Sequence, residues 1–309
     1  MTLDLWIDYF QDLGHQLWKY VVHLWTGKCE IQRICGNKDR MHSASMTEEF
    51  ARSLKKSRQL VKYSKIVFRW EAVPIHSFTT GIMQAKGISI ENSLLLANIR
   101  TCLQHVHMIN MAIQHLQKLK STIYSDNDPE HVALLESLWR NLKPHVTRQG
   151  GRITAEWGEV GFQGRDPATD FRGMGLLGLI QLVYFSEKMP ELAISLLSQS
   201  QYDHQYFPYA ATGINVTAVV VDMTLLGCFH HNILEEIDKI ILHDSSQNIE
   251  REVDQKTIQA ILNIIHAKYC VLFLRLGKTW LDSNSKDLMA FPKVFKGFKE
   301  DVLALYPKL

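Results

Sequence analysis

One junction of the chain combines charge with many turn-forming residues. Residues 157–185 read WGEVGFQGRDPATDFRGMGLLGLIQLVYF, and their first half contains the turn formers Gly161, Gly164, Asp166 and Pro167. From about Met174 the apolar spacing predicts a helix, and Arg172 precedes it, followed by glycine. A guanidinium stays charged and offers several donors in a planar fork, which suits phosphate oxygens. Arg172 is therefore a candidate for chemistry, with Asp170 or Thr169 expected to cap the helix.

Three glycines beside this arginine match the letters of a dinucleotide-binding pattern. Gly173, Gly175 and Gly178 have the G-x-G-x-x-G spacing, but a polar turn precedes them where a dinucleotide fold has a buried strand. No Gly-Lys-Ser or Gly-Lys-Thr follows a glycine loop, which argues against a phosphate-binding loop. We infer that the chain binds no nucleotide by itself and needs no cofactor. The glycines either allow close helix packing or admit a partner's backbone near Arg172.

The sequence predicts no metal site and no independent catalytic site. The cysteines are odd in number and scattered, which suggests reduced thiols in an intracellular protein: Cys29, Cys35, Cys102, Cys228 and Cys270. The pairs His105 with His107 and His230 with His231 lack the i, i+4 spacing that places two ligands on one helix face. The chain also lacks the H-E-x-x-H and G-x-S-x-G motifs of hydrolytic enzymes.

The distribution of charge argues against nucleic acid as a partner. The formal net charge is only +2, with 34 basic and 32 acidic residues. A basic helix is predicted at about 50–70, where no acidic residue accompanies Arg52, Lys55, Lys56, Arg58, Lys62, Lys65 and Arg69. Its charged side is either a solvated face or a contact for acidic lipid or an acidic partner.

A separate amphipathic helix is predicted at about 3–25. Polar residues recur about every fourth position: Asp4, Asp8, Asp12, His15, Lys19 and His23. These residues interrupt the segment too often for a membrane span, and no stretch of about 20 apolar residues is expected elsewhere. The helix either packs on the protein's own core or attaches reversibly to a membrane surface through Trp18, Tyr20 and Trp25.

The apolar spacing along the whole chain is typical of helices, so the fold class is predicted to be all-α. Helical segments are expected at 3–25, 47–70, 92–120, 130–142, 173–188, 190–199, 213–227, 230–243, 256–281 and 287–306. Turn formers cluster at 125–129 and 149–151. We divide the chain into an N-terminal helical region at 1–128 and a compact multi-helix domain at 129–306.

The junction resembles the ELMO domain family, and in particular its ELMOD branch of short proteins. The family pattern is present as Trp157, Gly161-Phe162-Gln163, Pro167, Thr169-Asp170-Phe171-Arg172-Gly173, Gly175, Leu177-Gly178-Leu179, Leu182 and Phe185. No specified position departs from it. The segment at 26–34, TGKCEIQRI, is similar to the opening of the same short proteins. The resemblance therefore identifies 129–306 as an ELMO domain.

This resemblance implies a GTPase-activating protein for small GTPases of the Arf and Arl group. The partner is a GTPase in its GTP-bound form, and the chain activates that enzyme without being one itself. In the family the arginine at the position of Arg172 is required for activity, so Arg172 is expected to act as an arginine finger supplied in trans. The implied location is cytoplasmic, with peripheral contact to organelle membranes.

Other residues of the motif are expected to position the loop or contact the partner. Gly173 and Gly175 are expected to leave room for the loops of the GTPase, and Asp170 to hold the loop or the guanidinium. Gln163 and Thr169 join this group. The large apolar residues are expected in the core: Trp157, Phe162, Phe171, Leu177, Leu179, Leu182 and Phe185.

Two alternatives remain open from the sequence. Arg172 instead forms a structural salt bridge to Asp166 or Asp170. The domain instead docks a GTPase or a scaffold without accelerating hydrolysis, in which case binding is indifferent to Arg172→Lys.

Overall fold

Helices and turns form all the regular structure in the computed structural model, which describes residues 14, 17, 18, 20–36, 44–69, 71–243, 255–285 and 287–306. No described residue lies in a strand, and the predicted all-α class is confirmed. The α-helices are α1 (Glu30–Cys35), α2 (Ala44–Lys56), α3 (Val61–Val67), α4 (Ile75–Ala85), α5 (Ser93–Ser121), α6 (Pro129–Leu142), α7 (Gly175–Lys188), α8 (Pro190–Ser200), α9 (Tyr209–Leu225), α10 (His230–His243), α11 (Gln255–Asp282) and α12 (Phe291–Leu305). Short 3-10 helices lie at Arg58–Leu60, Ala155–Val160, Pro167–Gly173 and Leu288–Ala290.

The chain packs as two units, one of residues 1–111 with 234–249 and one of 112–233 with 250–309. Two of the three boundaries between the units fall within α5 and α10, and the third, between 249 and 250, lies outside the described residues. Packing of this kind does not test where the family domain begins. The division at 128 and 129 therefore stays a prediction.

The first unit buries apolar residues from α1 to α5. Ile31, Phe50, Leu54, Leu60 and Ile99 belong to one core cluster and are fully buried. Two buried asparagines on α5 satisfy backbone carbonyls at the ends of other helices. Asn98 donates to the carbonyl of Cys35, and Asn110 donates to that of Val67. These bonds tie the short elements to the long helix.

The predicted basic helix is in fact two helices. The chain becomes extended at Ser57, and the 3-10 turn Arg58–Leu60 separates α2 from α3. A continuous helix would place Ser57 and Arg58 on the buried face after Leu54. The break instead brings Leu60 into the core, where it is fully buried. Helices α1 and α4 were not predicted. Helix α1 is only six residues long, so it shows less than two turns of apolar spacing.

Part of the predicted N-terminal helix lies outside the described residues, which include little of the chain before Tyr20. Residues 20–26 are helical. Their large apolar side chains are exposed, and Trp25 is 88% exposed. Leu17, Trp18, Tyr20 and Leu24 are exposed as well. The described part of this segment is therefore not packed on the core of its unit.

Helix α7 lies at the centre of the second unit, where it packs against α6, α8, α9 and α11. Its buried residues extend around most of its circumference, as expected for a helix covered on several sides. Gly178 permits close approach to α9, because an added Cβ atom would lie 3.3 Å from the Cγ1 atom of Ile214. At the start of α6, Asp128 accepts a hydrogen bond from the Glu130 N–H and Pro129 occupies the first turn, so the helix start predicted at 125–129 is confirmed.

One helix is longer and more apolar than expected. By length and composition alone, α11 could cross a membrane. The bent pair α9 and α10 would also be long and apolar enough if the two helices formed one broken span. The expectation of no such stretch is therefore wrong. Half of the most apolar window of α11 is buried inside the protein, and the core helix of a soluble protein passes the same test.

Candidate functional site

The motif residues form a loop with two 3-10 turns before α7. The second turn, Pro167–Gly173, is capped by Asp166, whose side chain accepts the Ala168 N–H at 3.0 Å. Pro167 fits the first turn because it has no N–H to satisfy. The expected cap by Asp170 or Thr169 is wrong, since Asp166 lies at the point where the chain enters the turn and α7 has no side-chain cap.

The guanidinium group of Arg152 forms a clamp that fixes the start of this turn. Arg152 donates to Asp166 at 2.6 Å and to Asp126 at 2.8 Å, and its Nε atom forms an ion-pair contact with the other Asp126 carboxylate oxygen at 2.6 Å. Burial alone would raise the pKa of Asp166, but the guanidinium and the Ala168 N–H outweigh burial and lower it. The cap therefore stays ionised at neutral pH and links the turn to the segment before α6.

Buried aromatic rings form the base of the loop. Trp157 makes edge contacts with Trp139 and Phe162, whose ring contacts Phe171 at 5.7 Å between centroids. Tyr124 lies against the other side of Phe171 at 5.6 Å. The predicted core positions in the motif are confirmed, since all these residues are buried: Trp157, Phe162, Phe171, Leu177, Leu179, Leu182 and Phe185. The loop thus rests on a rigid aromatic layer.

Asp170 closes the loop on itself. Its carboxylate accepts the backbone N–H of Gln163 at 2.7 Å, which joins the two ends of the 163–170 segment. Burial raises the pKa of Asp170, although the Gln163 N–H and the charge of Arg172 act in the opposite direction. Gln163 and Thr169 themselves are exposed on the loop surface.

The side chain of Arg172 is exposed, and one hydrogen bond to the backbone fixes its direction. Its Nε donates to the backbone carbonyl of Thr169 at 2.9 Å. Among the described residues it forms no ion pair: Asp166 pairs with Arg152, and Asp170 binds the Gln163 N–H. The salt bridges that the sequence left open for Arg172 are therefore not found. Its two terminal nitrogens are free to contact a ligand.

The two glycines beside Arg172 differ in their surroundings. At Gly173 an added Cβ would meet nothing within 4 Å, so the space beside Arg172 is open. Gly175 is buried with a φ of +53°, and its Cβ would lie 2.3 Å from the carbonyl oxygen of Lys120. The expected role of Gly175 in admitting a partner is wrong, because the chain's own backbone occupies that space.

A second arginine on the same loop was missed. Arg165 is exposed and forms no ion pair within the described part of the chain, while its carbonyl accepts the Thr154 N–H at 3.0 Å. It stands at an unspecified position of the motif, so the pattern did not single it out. Among described residues no group of three His, Cys, Asp or Glu could hold a metal ion. The loop therefore presents two guanidinium groups that form no ion pair with any residue that the structure describes.

Similarity to known proteins extends across most of the chain. ELMO domain-containing protein B of Dictyostelium discoideum is 39% identical over 212 residues, which cover 67% of this chain and 73% of that protein. ELMO domain-containing protein 2 of Homo sapiens is 29% identical over 309 residues, covering 99% of this chain and 96% of the relative. ELMO domain-containing protein 1 of Bos taurus is 29% identical over 92% of this chain and 86% of its own length. No solved structure matches the chain significantly.

The profile of the ELMO/CED-12 family matches residues 114–295. That match covers more than half of the chain and includes the entire loop with Arg172 and the helices beneath it. The residues that carry the sequence motif are thus those that build the loop. The chain belongs to the ELMO/CED-12 family.

Proposed function

We propose that this protein stimulates GTP hydrolysis on Arf and Arl small GTPases by supplying Arg172 as an arginine finger. One observation carries the proposal: the stem of Arg172 is fixed by the Thr169 carbonyl, while its terminal nitrogens are exposed and lack an ion pair among the described residues. A finger needs this combination, because it must reach a phosphate without first breaking an ion pair.

The chemistry required is electrostatic. In GTP hydrolysis, negative charge spreads over the oxygens of the transferred γ-phosphoryl group and the leaving oxygen. A guanidinium inserted from a second protein stabilises that charge and accelerates hydrolysis by about 10³–10⁵, which corresponds to roughly 4–7 kcal/mol of barrier. Lysine keeps the charge but loses the planar fork of donors, so it substitutes poorly at such a site.

The rest of the loop would act by positioning Arg172. Asp166, bound by Arg152, fixes the start of the 3-10 turn. The hydrogen bond from the Gln163 N–H to Asp170 holds the two ends of the 163–170 segment together. The aromatic layer below restricts movement of the turn toward the core. Such rigidity reduces the entropy lost when the arginine enters the active site of the GTPase. Gln163, Thr169 and Gly173 are exposed near it and available for partner contacts.

We also propose that the first unit contacts anionic membrane surfaces. Arg52, Lys55, Lys56, Arg58, Lys62, Lys65 and Arg69 are all exposed on α2, α3 and the turn between them or just after α3. None of them forms an ion pair with a described residue. Basic residues near a bilayer are attracted by anionic headgroups, and the exposed Trp18 and Trp25 are of the type that lies in the interface.

The experiment for the main proposal is single-turnover hydrolysis of GTP preloaded on a panel of Arf and Arl GTPases. The wild-type protein is expected to accelerate hydrolysis on at least one of them, whereas Arg172→Lys binds that GTPase equally well without accelerating it. Binding of both proteins with acceleration by neither would support a non-catalytic interaction module and overturn the proposal.

A further inference from the structure

A short non-helical segment between α5 and α6 contacts the loop that carries Arg172. The carbonyl of Thr122 accepts the Leu176 N–H at 2.9 Å. Two residues later, the ring of Tyr124 lies 5.6 Å from that of Phe171. Ile123, between these contacts, therefore lies beside the stretch of chain where the 3-10 turn Pro167–Gly173 leads into α7.

Neighbouring side chains of this segment differ sharply in exposure. The ring of Tyr124 is buried against the loop, whereas the side chain of Ile123 is directed to solvent. The result is an isoleucine that is 84% exposed although contacts on both sides fix its backbone. Just beyond it, Asp126 is held by the Arg152 clamp. A rigid, exposed β-branched side chain loses little entropy when a partner covers it.

We infer that Ile123 is an apolar anchor for the same GTPase whose nucleotide Arg172 would reach, an inference that rests on the proposed function. The occupant follows from continuity, because a protein that places a phosphate at Arg172 is brought against the segment 122–124, which contacts the same 3-10 turn and the start of α7. Apolar anchors surrounded by polar residues are typical of the energetic centres of interfaces. The GTPase must therefore present an apolar patch beside its nucleotide.

The test separates docking from catalysis. GTP-loaded GTPase in vesicle-free buffer is titrated with wild-type protein, Ile123→Ser, Ile123→Leu and Arg172→Lys, and the single-turnover rate is followed to saturation. Ile123→Ser is expected to raise the half-saturating concentration at least about tenfold, with the saturated rate within about twofold. Ile123→Leu, which keeps the apolar surface, stays near wild type. Arg172→Lys has the opposite effect, lowering the rate without altering half-saturation.

A matched control is available in the first unit. Ile90 is also exposed, at 55%, and Ile90→Ser is expected to change neither quantity. Unchanged half-saturation in Ile123→Ser, with loss of rate in Arg172→Lys, would overturn the inference and leave the proposed function intact. A defect of Ile123→Ser that appears only when vesicles are added would also overturn it, because Ile123 would then contact lipid.

If the wild-type protein accelerates no GTPase, the proposed function fails and docking is measured directly. Equilibrium binding of the GTP-loaded GTPase is then compared for wild type and Ile123→Ser. Weaker binding by Ile123→Ser supports the anchor, and equal binding contradicts it. Ile123→Ser is first checked for wild-type thermal unfolding, which is expected because the side chain of Ile123 is exposed.

Discussion

The Nε atom of Arg172 donates a 2.9 Å hydrogen bond to the carbonyl oxygen of Thr169, three residues earlier in the same 3-10 turn. This bond uses the one guanidinium donor that faces back along the side chain and leaves the two terminal nitrogens exposed. It also satisfies a carbonyl in the turn. The side chain is thereby aimed by the backbone, with no acidic partner among the described residues that a phosphate would have to displace.

Asp170 is expected to control activity through the loop. Asp170→Ala removes the acceptor of the Gln163 N–H and is expected to lower the free energy of unfolding by about 1 kcal/mol. The loop then loosens, and the rate of stimulated hydrolysis falls about tenfold. Asp170→Asn keeps an acceptor oxygen and stays within about threefold of the wild-type rate. Urea unfolding and single-turnover kinetics measure these effects, and a wild-type rate in Asp170→Ala would exclude a positioning role.

The pair of glycines after Arg172 provides a matched comparison of stability. Gly175→Ala would force its Cβ against the Lys120 carbonyl at a positive φ, so it is expected to cost more than about 2 kcal/mol. Gly173→Ala meets no atom and should change stability by less than about 0.5 kcal/mol. Thermal unfolding measures both variants. Equal stability of the two would contradict the described packing of Gly175.

Gly173→Ala then tests the partner side of the loop. If the GTPase fits closely against Gly173, the added methyl group lowers the stimulated rate in a protein of normal stability. A normal rate would show that the space beside Arg172 stays unfilled in the complex.

Stability of the second unit is expected to fall in mild acid because of a buried histidine. Burial is the largest cause that lowers the pKa of His266 to about 4, with a smaller effect from His115. The unfolded chain binds a proton near pH 6.5 and the folded chain only near pH 4. The contribution of His266 is therefore complete above pH 6.5 and lost as the pH falls toward 4, and it amounts to about 3 kcal/mol.

Two glutamine variants isolate this effect. His266→Gln is expected to reduce the dependence of the free energy of unfolding on pH between about 4 and 6.5, measured by urea denaturation. His204→Gln, at an exposed position, should leave the dependence unchanged. An identical pH dependence in wild type and His266→Gln would show that the ring is not held neutral in the core.

The basic surface of α2 and α3 is expected to bind anionic bilayers. Reversing Lys56, Lys62 and Lys65 to glutamate should weaken binding to phosphatidylserine-containing vesicles at least about a hundredfold, at roughly 1 kcal/mol for each cation removed. The control reverses Lys188, Lys278 and Lys293, three exposed lysines of the second unit without a described ion pair. Co-sedimentation at low salt measures both. An equal loss of vesicle binding in the two triple variants would show that binding depends on net charge alone and not on the basic surface of α2 and α3.

Periodicity in the sequence predicts most helices and the core of the motif. Trp157, Phe162 and Phe171 are large apolar residues, and burying them is favourable in nearly any fold, so their position follows from residue type. The start of α6 was equally accessible, because Asp128 and Pro129 encode it locally.

The details of the loop could not be predicted in this way. Whether Asp166 or Asp170 caps the turn depends on where the chain bends, and both are acids within a few residues. The constraint on Gly175 comes from Lys120, which is distant in sequence. The exposure of Ile123 likewise depends on tertiary contacts of its neighbours. Such long-range backbone contacts leave no periodic signal in the sequence.

The most direct test of the arginine finger compares the two exposed arginines of the loop. Single-turnover GTP hydrolysis on a responsive Arf or Arl GTPase is measured with wild type, Arg172→Lys and Arg165→Lys, all at saturating concentration. We expect Arg172→Lys to lose most of an acceleration of about 10³ or more, while Arg165→Lys stays within a few-fold of wild type. Acceleration by Arg172→Lys at the wild-type rate would contradict the proposed function.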